Sequence, residues 1–189
     1  MSEMKPFESS LRNIANLLEK HKIKYMVIGG LANAKWGNPR ATLDVDITIW
    51  LPESEIQNLL SLLEAEYIFL VKDPLKFIAR TRVLPLKNNI DQRIDLIFAS
   101  LPFEKDALDR AIKVRVGRSA ISFCTPEDLI IMKIISDRTK DLEDVRGIIR
   151  FQREQLDYGY LEPRIAELAD LLEKPEIKKQ WDEWKIRDT

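Results

Sequence analysis

The order of three segments constrains this chain more than any bulk property does. A short apolar, β-branched run over 23–28 ends at Gly29-Gly30; about a dozen residues later a segment over 42–50 alternates polar and apolar side chains; a lone acid, Asp95, follows in another strand-like stretch. The first run reads as a buried strand with a tight exit, because branched side chains suit a pleated sheet and glycine lets the backbone turn sharply. In the second, Val45, Ile47 and Ile49 fall on one face and Asp44, Asp46, Thr48 and Trp50 on the other. Residues two apart on a strand share a face, with side-chain origins roughly 6.5 to 7 Å apart, so Asp44 and Asp46 project together. Asp95 lies between Ile94 and Leu96 and leaves its strand opposite to them. If the two strands are neighbours, three carboxylates converge on one spot.

Like charges held that close repel, and burial would raise their pKa values. A divalent cation resolves the conflict, and hard oxygen donors select Mg²⁺ or Mn²⁺. Two such ions can clamp the attacking and leaving oxygens of phosphoryl or nucleotidyl transfer. Gly29-Gly30 supplies the complementary half. With no side chains there, backbone N–H groups can approach a triphosphate, and a following helix offers its positive N-terminal end. Each signal alone is common in sheet proteins; their joint order is far more specific. Other nucleotide and metal motifs are absent: there is no Gly-rich loop ending in Gly-Lys-Ser/Thr, no G-x-G-x-x-G, and no Gly and Glu placed as in a calcium loop.

The rest of the chain alternates helices and strands. Phe7, Leu11, Ile14 and Leu18 recur at helical spacing and predict a helix over 7–20. A short helix is expected over 31–37, broken by Gly37-Asn38-Pro39. Ile56, Leu59, Leu60 and Leu63 form the stripe of a helix that starts near Pro52–Ser54. A helix is expected over 73–80, a hairpin of 83–87 with 93–98 about Asn88-Asn89, a helix over 104–112, and a second hairpin of 113–116 with 120–123 turning at Gly117-Arg118. From Pro126 the pattern is helical to the end, which sets an expected division into 1–124 and 125–189.

Composition narrows the function classes. Thirty Lys and Arg against 31 Asp and Glu give a net charge of −1, so the whole chain is no general polyanion binder. Residues 72–118 hold 11 basic against 6 acidic residues, which suits either phosphate contact or an ordinary solvated surface. A single cysteine, Cys124, excludes an internal disulfide and a cysteine-built metal site; a single histidine, His21, excludes a His-rich zinc site. The start of the chain has no signal-peptide core and no apolar run nears the ~20 residues of a membrane span, so a cytoplasmic, non-membrane location is expected.

The stretch from Val27-Ile-Gly-Gly-Leu-Ala-Asn-Ala34 through Arg40-Ala-Thr-Leu-Asp-Val-Asp46 resembles the active-site signature of the DNA polymerase β-like nucleotidyltransferase superfamily. Arg93-Ile-Asp-Leu-Ile-Phe98 is similar to its third-carboxylate strand. Thr125-Pro-Glu-Asp-Leu129, with Lys133, Arg138 and Lys140-Asp141-Leu-Glu-Asp144, resembles the branch of AbiEii-type toxins and small stand-alone nucleotidyltransferases. Gly30 stands where the commonest form of the motif has Ser, which leaves phosphate contact to backbone and neighbouring side chains.

The resemblance implies an α/β (α+β) fold: a mixed β-sheet flanked by helices, a catalytic domain over 1–124, and a C-terminal helical extension over 125–189 that completes the cleft. It implies transfer of a nucleoside monophosphate from an NTP, with Mg²⁺ or Mn²⁺ as cofactor. Asp44 and Asp46 would then hold both metals, Asp95 the catalytic one while helping to deprotonate the acceptor, and Gly29 and Gly30 would cradle the phosphates. The acceptor is open: RNA or protein for a toxin, which would have a cognate antitoxin, or a small molecule such as an antibiotic. A non-catalytic nucleotide- or partner-binding relative is the remaining reading.

Lys133 interrupts the helix Leu129-Ile-Ile-Met-Lys-Ile-Ile135, apolar on nearly all sides, where a cation is costly unless it reaches water or an anion. It either snorkels or pairs with Asp137, or it acts on nucleotide phosphates or on an acidic partner such as Asp141. Arg40 is either a turn arginine or a contact to phosphate or substrate.

Overall fold

The computed structural model describes residues 4–40 and 44–187. The chain divides into two compact units, one of residues 1–31 with 41–124, the other of residues 32–40 with 125–189.

The first unit is built on a mixed sheet. Its strands are β1 (Lys24–Val27), β2 (Val45–Trp50), β3 (Ile68–Phe69), β4 (Val83–Lys87), β5 (Arg93–Phe98), β6 (Ile112–Val116) and β7 (Ser119–Phe123), in spatial order β3-β4-β5-β2-β1-β7-β6. β2 runs parallel to β5, and β1 parallel to β7; the other neighbours are antiparallel. Central strands of such a sheet are buried on both faces. That is why Thr48, on the polar side of the β2 alternation, is buried along with Val45, Ile47 and Ile49. The start expected for this strand at Thr42 falls on residues 41–43, outside the described residues.

Helices supply apolar faces to the sheet. α1 (Met4–Lys20) packs on β1 and β7 and buries Leu11, Ile14 and Leu18. Complete burial of such a side chain is worth roughly 1.5 to 3 kcal/mol. A helix, α2 (Gly29–Trp36), starts in this unit on the first glycine of the pair, two residues earlier than expected, passes into the second unit at Ala32 and ends before Gly37. α3 (Ile56–Leu63) buries Ile56, Leu59, Leu60 and Leu63. α4 (Pro74–Thr81) is capped by Asp73, which accepts from the Lys76 N–H at 3.1 Å, and closes on Arg82 in the left-handed region. α5 (Pro102–Arg110) packs on β1 and β2. It stops before Ala111, whose backbone is extended, and hands Ile112 to β6 opposite Phe123. Both expected hairpins are present, as antiparallel β4–β5 and β6–β7. The two-residue β3 was not expected, since a strand that short carries no alternation to read.

The second unit is helical: α6 (Pro126–Ile134), α7 (Thr139–Gln152), α8 (Tyr158–Leu171) and α9 (Pro175–Arg187), with residues 32–40. Thr125 caps α6 by accepting from the Asp128 N–H at 3.1 Å, and Asp157 caps α8 by accepting from the Tyr160 N–H at 2.9 Å. Leu129, Ile130, Ile131, Ile134, Val145, Ile148, Ile149, Leu161, Ile165 and Trp181 make its core. Among the described residues no helix is long and apolar enough to cross a membrane.

Candidate active site

In the first unit the parallel register of β2 and β5 sets Asp46 directly opposite Asp95. Partners in register share a sheet face, so the two carboxylates project on the same side. β1 leads into the same place: the Ile28 N–H donates to the Asp46 carbonyl at 3.0 Å, and the chain then turns at Gly29 with φ +63°. A Cβ on Gly29 would fall 2.1 Å from Asp46 Oδ2, so the carboxylate rests directly against the glycine backbone. Gly30 behind it is buried. Asp44, just before β2, is exposed, Asp46 is half-buried, and the Asp95 side chain is 18% exposed.

A cation absent from the expected site stands among these acids. Arg93 Nε donates to Asp95 Oδ1 at 3.1 Å and Arg93 Nη2 to Oδ2 at 3.2 Å. The Arg93 guanidinium is held above its ordinary range, first by the hydrogen bond and charge of Asp95, then by the fields of Asp44 and Asp46. All three carboxylates therefore act on one guanidinium. Among the described residues no three His, Cys, Asp or Glu side chains are grouped as a metal ion would group them. The donor set nonetheless fits a hard divalent cation: all its donors are carboxylate oxygens, Asp46 and Asp95 are abreast, and Gly29 leaves the Asp46 carboxylate room that any other residue would fill. Asp44, Asp46 and Asp95 are the residues that would hold it.

The second unit carries its own ionic cluster. Lys133 is 6% exposed, and its ammonium donates to Asp141 Oδ1 at 2.7 Å and to Asp144 Oδ2 at 2.8 Å. Arg40 forks onto Asp144, with Nε to Oδ1 at 3.1 Å and Nη2 to Oδ2 at 3.0 Å, and Asn33 Nδ2 adds a bond to Oδ1 at 2.9 Å. Asp141 Oδ2 accepts from Ser136 Oγ at 2.8 Å and Arg138 Nε at 2.6 Å. Burial alone would raise the pKa of both acids. The bonds from Lys133 and Ser136 at Asp141, and from Arg40 and Lys133 at Asp144, outweigh it and hold both below the ordinary carboxylate value.

The break at Ser136–Arg138 between α6 and α7 lets Lys133 meet residues eight and eleven positions on. Asp137, the alternative partner for Lys133, pairs instead with Lys174 at 2.7 Å.

The structure thus sets Gly29 against Asp46 and Asp46 beside Asp95 in one unit, and in the other joins Arg40 to Lys133 through Asp144 and Asp144 to Asp141 through Lys133. Arg93, Asn33 and the bridging role of Asp144 were not anticipated. Two signals could have found them: Arg93 stands two residues before Asp95 on an alternating strand, and Asp141 and Asp144 are spaced i,i+3 on a helix.

Among solved structures, the chain is similar to antibiotic-resistance factor ANT(2'')-Ia in complex with adenylyl-2''-tobramycin (TM-score 0.61, 16% identity, 88% of this chain and 99% of that one). It is similar to an antigenic nucleotidyltransferase-like protein from Paracoccidioides brasiliensis (TM-score 0.56, 18% identity, 92% and 90%). It is also similar to the lincosamide antibiotic adenylyltransferase LnuA bound to lincomycin (TM-score 0.53, 18% identity, 75% and 95%). At such identities the likeness is one of fold. No curated protein sequence matches this chain. Family membership rests on the sequence itself, matched over residues 8–187: the chain belongs to the family described as nucleotidyltransferase of unknown function (DUF6036).

Proposed function

We propose that the protein transfers a nucleoside monophosphate from a nucleoside triphosphate to an acceptor hydroxyl, with Mg²⁺ or Mn²⁺ held by Asp44, Asp46 and Asp95. The family supports the reaction class. The observation that carries the assignment is Asp46 abreast of Asp95 with the Gly29 backbone against the Asp46 carboxylate. A divalent cation bound there supplies charge neutralisation to the triphosphate as pyrophosphate departs. The acceptor hydroxyl gives its proton to the Asp95 carboxylate, its oxygen bonds to the α-phosphorus, and the bond to the bridging oxygen breaks. Backbone N–H groups at Gly29 and Gly30, at the positive end of α2, bind phosphate. Arg40, Lys133 and Asp141, expected from the sequence to serve the nucleotide, belong to the ionic cluster of the second unit: Asp144 orients the Arg40 guanidinium, and Lys133 and Asp141 keep that arrangement in place.

The acceptor follows from two supports. The fold is shared with structures that hold lincomycin and adenylyl-2''-tobramycin, which makes hydroxyl-bearing antibiotics one class to test. The likeness of 125–144 to AbiEii-type toxins makes RNA or protein the other, with a cognate antitoxin as partner. Labelled NTPs, offered with Mg²⁺ or Mn²⁺ to tRNA, total protein, lincosamides and aminoglycosides, should label one of these in wild type and none in Asp46→Asn. Equal labelling by Asp46→Asn overturns the assignment.

A further inference from the structure

Asp95 has both of its carboxylate oxygens on a cation of its own strand, the Arg93 guanidinium. Arg93 and Asp95 lie two residues apart on one face of β5, so the pairing costs no rearrangement of the backbone. The pair is also weakly held. The Arg93 side chain is half exposed, at 50%, and an ion pair so open to solvent contributes little to stability. A planar guanidinium prefers the bidentate geometry of carboxylate or phosphate oxygens, so a triphosphate would offer Arg93 an equivalent partner.

We infer that Arg93 is the resident counter-ion of the site: it occupies Asp95 until a metal and a triphosphate arrive together, yields the carboxylate to the metal, and moves to the triphosphate. The inference rests on the nucleotidyl-transfer reading above and gives it a consequence. A bare divalent cation must displace Arg93 with nothing to receive it, whereas a cation arriving with a triphosphate provides the guanidinium with a new partner. Metal and triphosphate therefore bind cooperatively, and because binding coupling is reciprocal, each raises the affinity for the other by the same factor.

The test is Mn²⁺ binding followed by the paramagnetic resonance signal of the free ion, with and without an adenosine triphosphate analogue whose α–β bridge is methylene. Arg93→Gln should bind Mn²⁺ alone about three- to tenfold more tightly than wild type, and the analogue's enhancement of Mn²⁺ affinity should shrink by a similar factor. Arg93→Lys keeps the charge without the fork, so it should move both quantities in the same direction by less; it carries the measurement if the Gln variant fails to fold by circular dichroism. Asp46→Asn is run in parallel. If wild type shows analogue-dependent Mn²⁺ binding that Asp46→Asn loses, yet Arg93→Gln binds Mn²⁺ alone no more tightly than wild type, the role of Arg93 is overturned and the transfer reading stands. If wild type binds no Mn²⁺ even with the analogue, or Asp46→Asn binds it equally well, the transfer reading fails and this inference fails with it.

Discussion

Two arginine–aspartate forks in this protein have nearly the same geometry and different surroundings. Arg93 reaches Asp95 at 3.1 and 3.2 Å, and Arg40 reaches Asp144 at 3.1 and 3.0 Å. Behind Asp144 stand two more donors, Lys133 and Asn33, and its side chain is 5% exposed. Behind Asp95 stands another acid, Asp46, across the sheet, and the arginine on it is half in water. A fork closed by further donors is a fixed part of the fold, because removing a charged member leaves a buried charge short of compensation. A fork with like charge behind it is the one expected to exchange, because a divalent cation held by the neighbouring acids would ligate several of them where the arginine bonds to one. Bond length does not separate the two cases; the company of the carboxylate does.

That contrast is open to attack, beginning with the largest effect. Asp46→Asn should lower nucleotidyl transfer by at least about a thousandfold, equivalent to about 4 kcal/mol of barrier, while its thermal midpoint stays level or rises as one of several neighbouring like charges goes. Initial rates and calorimetry on the same preparation check both halves; a large loss of stability would put Asp46 in the closed class. Lys133→Met should cost about 3 to 5 kcal/mol in urea unfolding, since it takes the shared ammonium from two buried carboxylates, and adding Asp141→Asn should recover part of that loss. Unchanged stability in the single variant would mean that the closed cluster is not closed.

Gly29→Ala combines a left-handed backbone with a clash against Asp46. It should cost about 1 to 3 kcal/mol and depress triphosphate binding as well; wild-type binding would show that the carboxylate moves aside freely. The smallest effect appears only in acid. Asp141 and Asp144 titrate below their unfolded values, so the unfolded chain takes up protons first and stability must fall with pH. Stability from these acids should be complete above about pH 5 and be lost as the pH falls below about 4. Lys133→Met should flatten that acid limb in pH-dependent unfolding, and an unaltered limb would place the titration elsewhere.

Much of this was legible because the signals were periodic. The β2 alternation put Asp44 and Asp46 together, and the flanking Ile94 and Leu96 gave Asp95 its face. The adjacency of β2 and β5 was a condition the sequence posed but had no means to meet, since pairing of strands that far apart is decided by the whole sheet. Arg93 escaped notice because an exposed arginine on a strand is ordinary until its neighbour is known to be a site acid. Lys133 stood out as misplaced in an apolar helix, but its use of Asp144 depends on the break at Ser136, which no periodicity marks. The start of β6 at Ile112 was lost to the preceding helix because an isoleucine suits either element.

The grouping of residues 32–40 with the C-terminal helices has a consequence for how the protein is made. Asn33 and Arg40 find Asp144 across 111 and 104 positions of chain, and Gln152 Nε2 donates to the Trp36 carbonyl at 2.9 Å. A ribosome adding about 5 to 20 residues per second needs roughly 5 to 20 s to go from Arg40 to Asp144. During that interval the strands of the sheet can emerge and pair while Asn33 and Arg40 wait without their acid. A nascent chain halted near residue 124 would therefore hold a sheet and an unfinished segment, and a fragment that begins at Thr125 would lack Asn33, Trp36 and Arg40. Separating the gene at that point would cut the helical unit away from part of its own core.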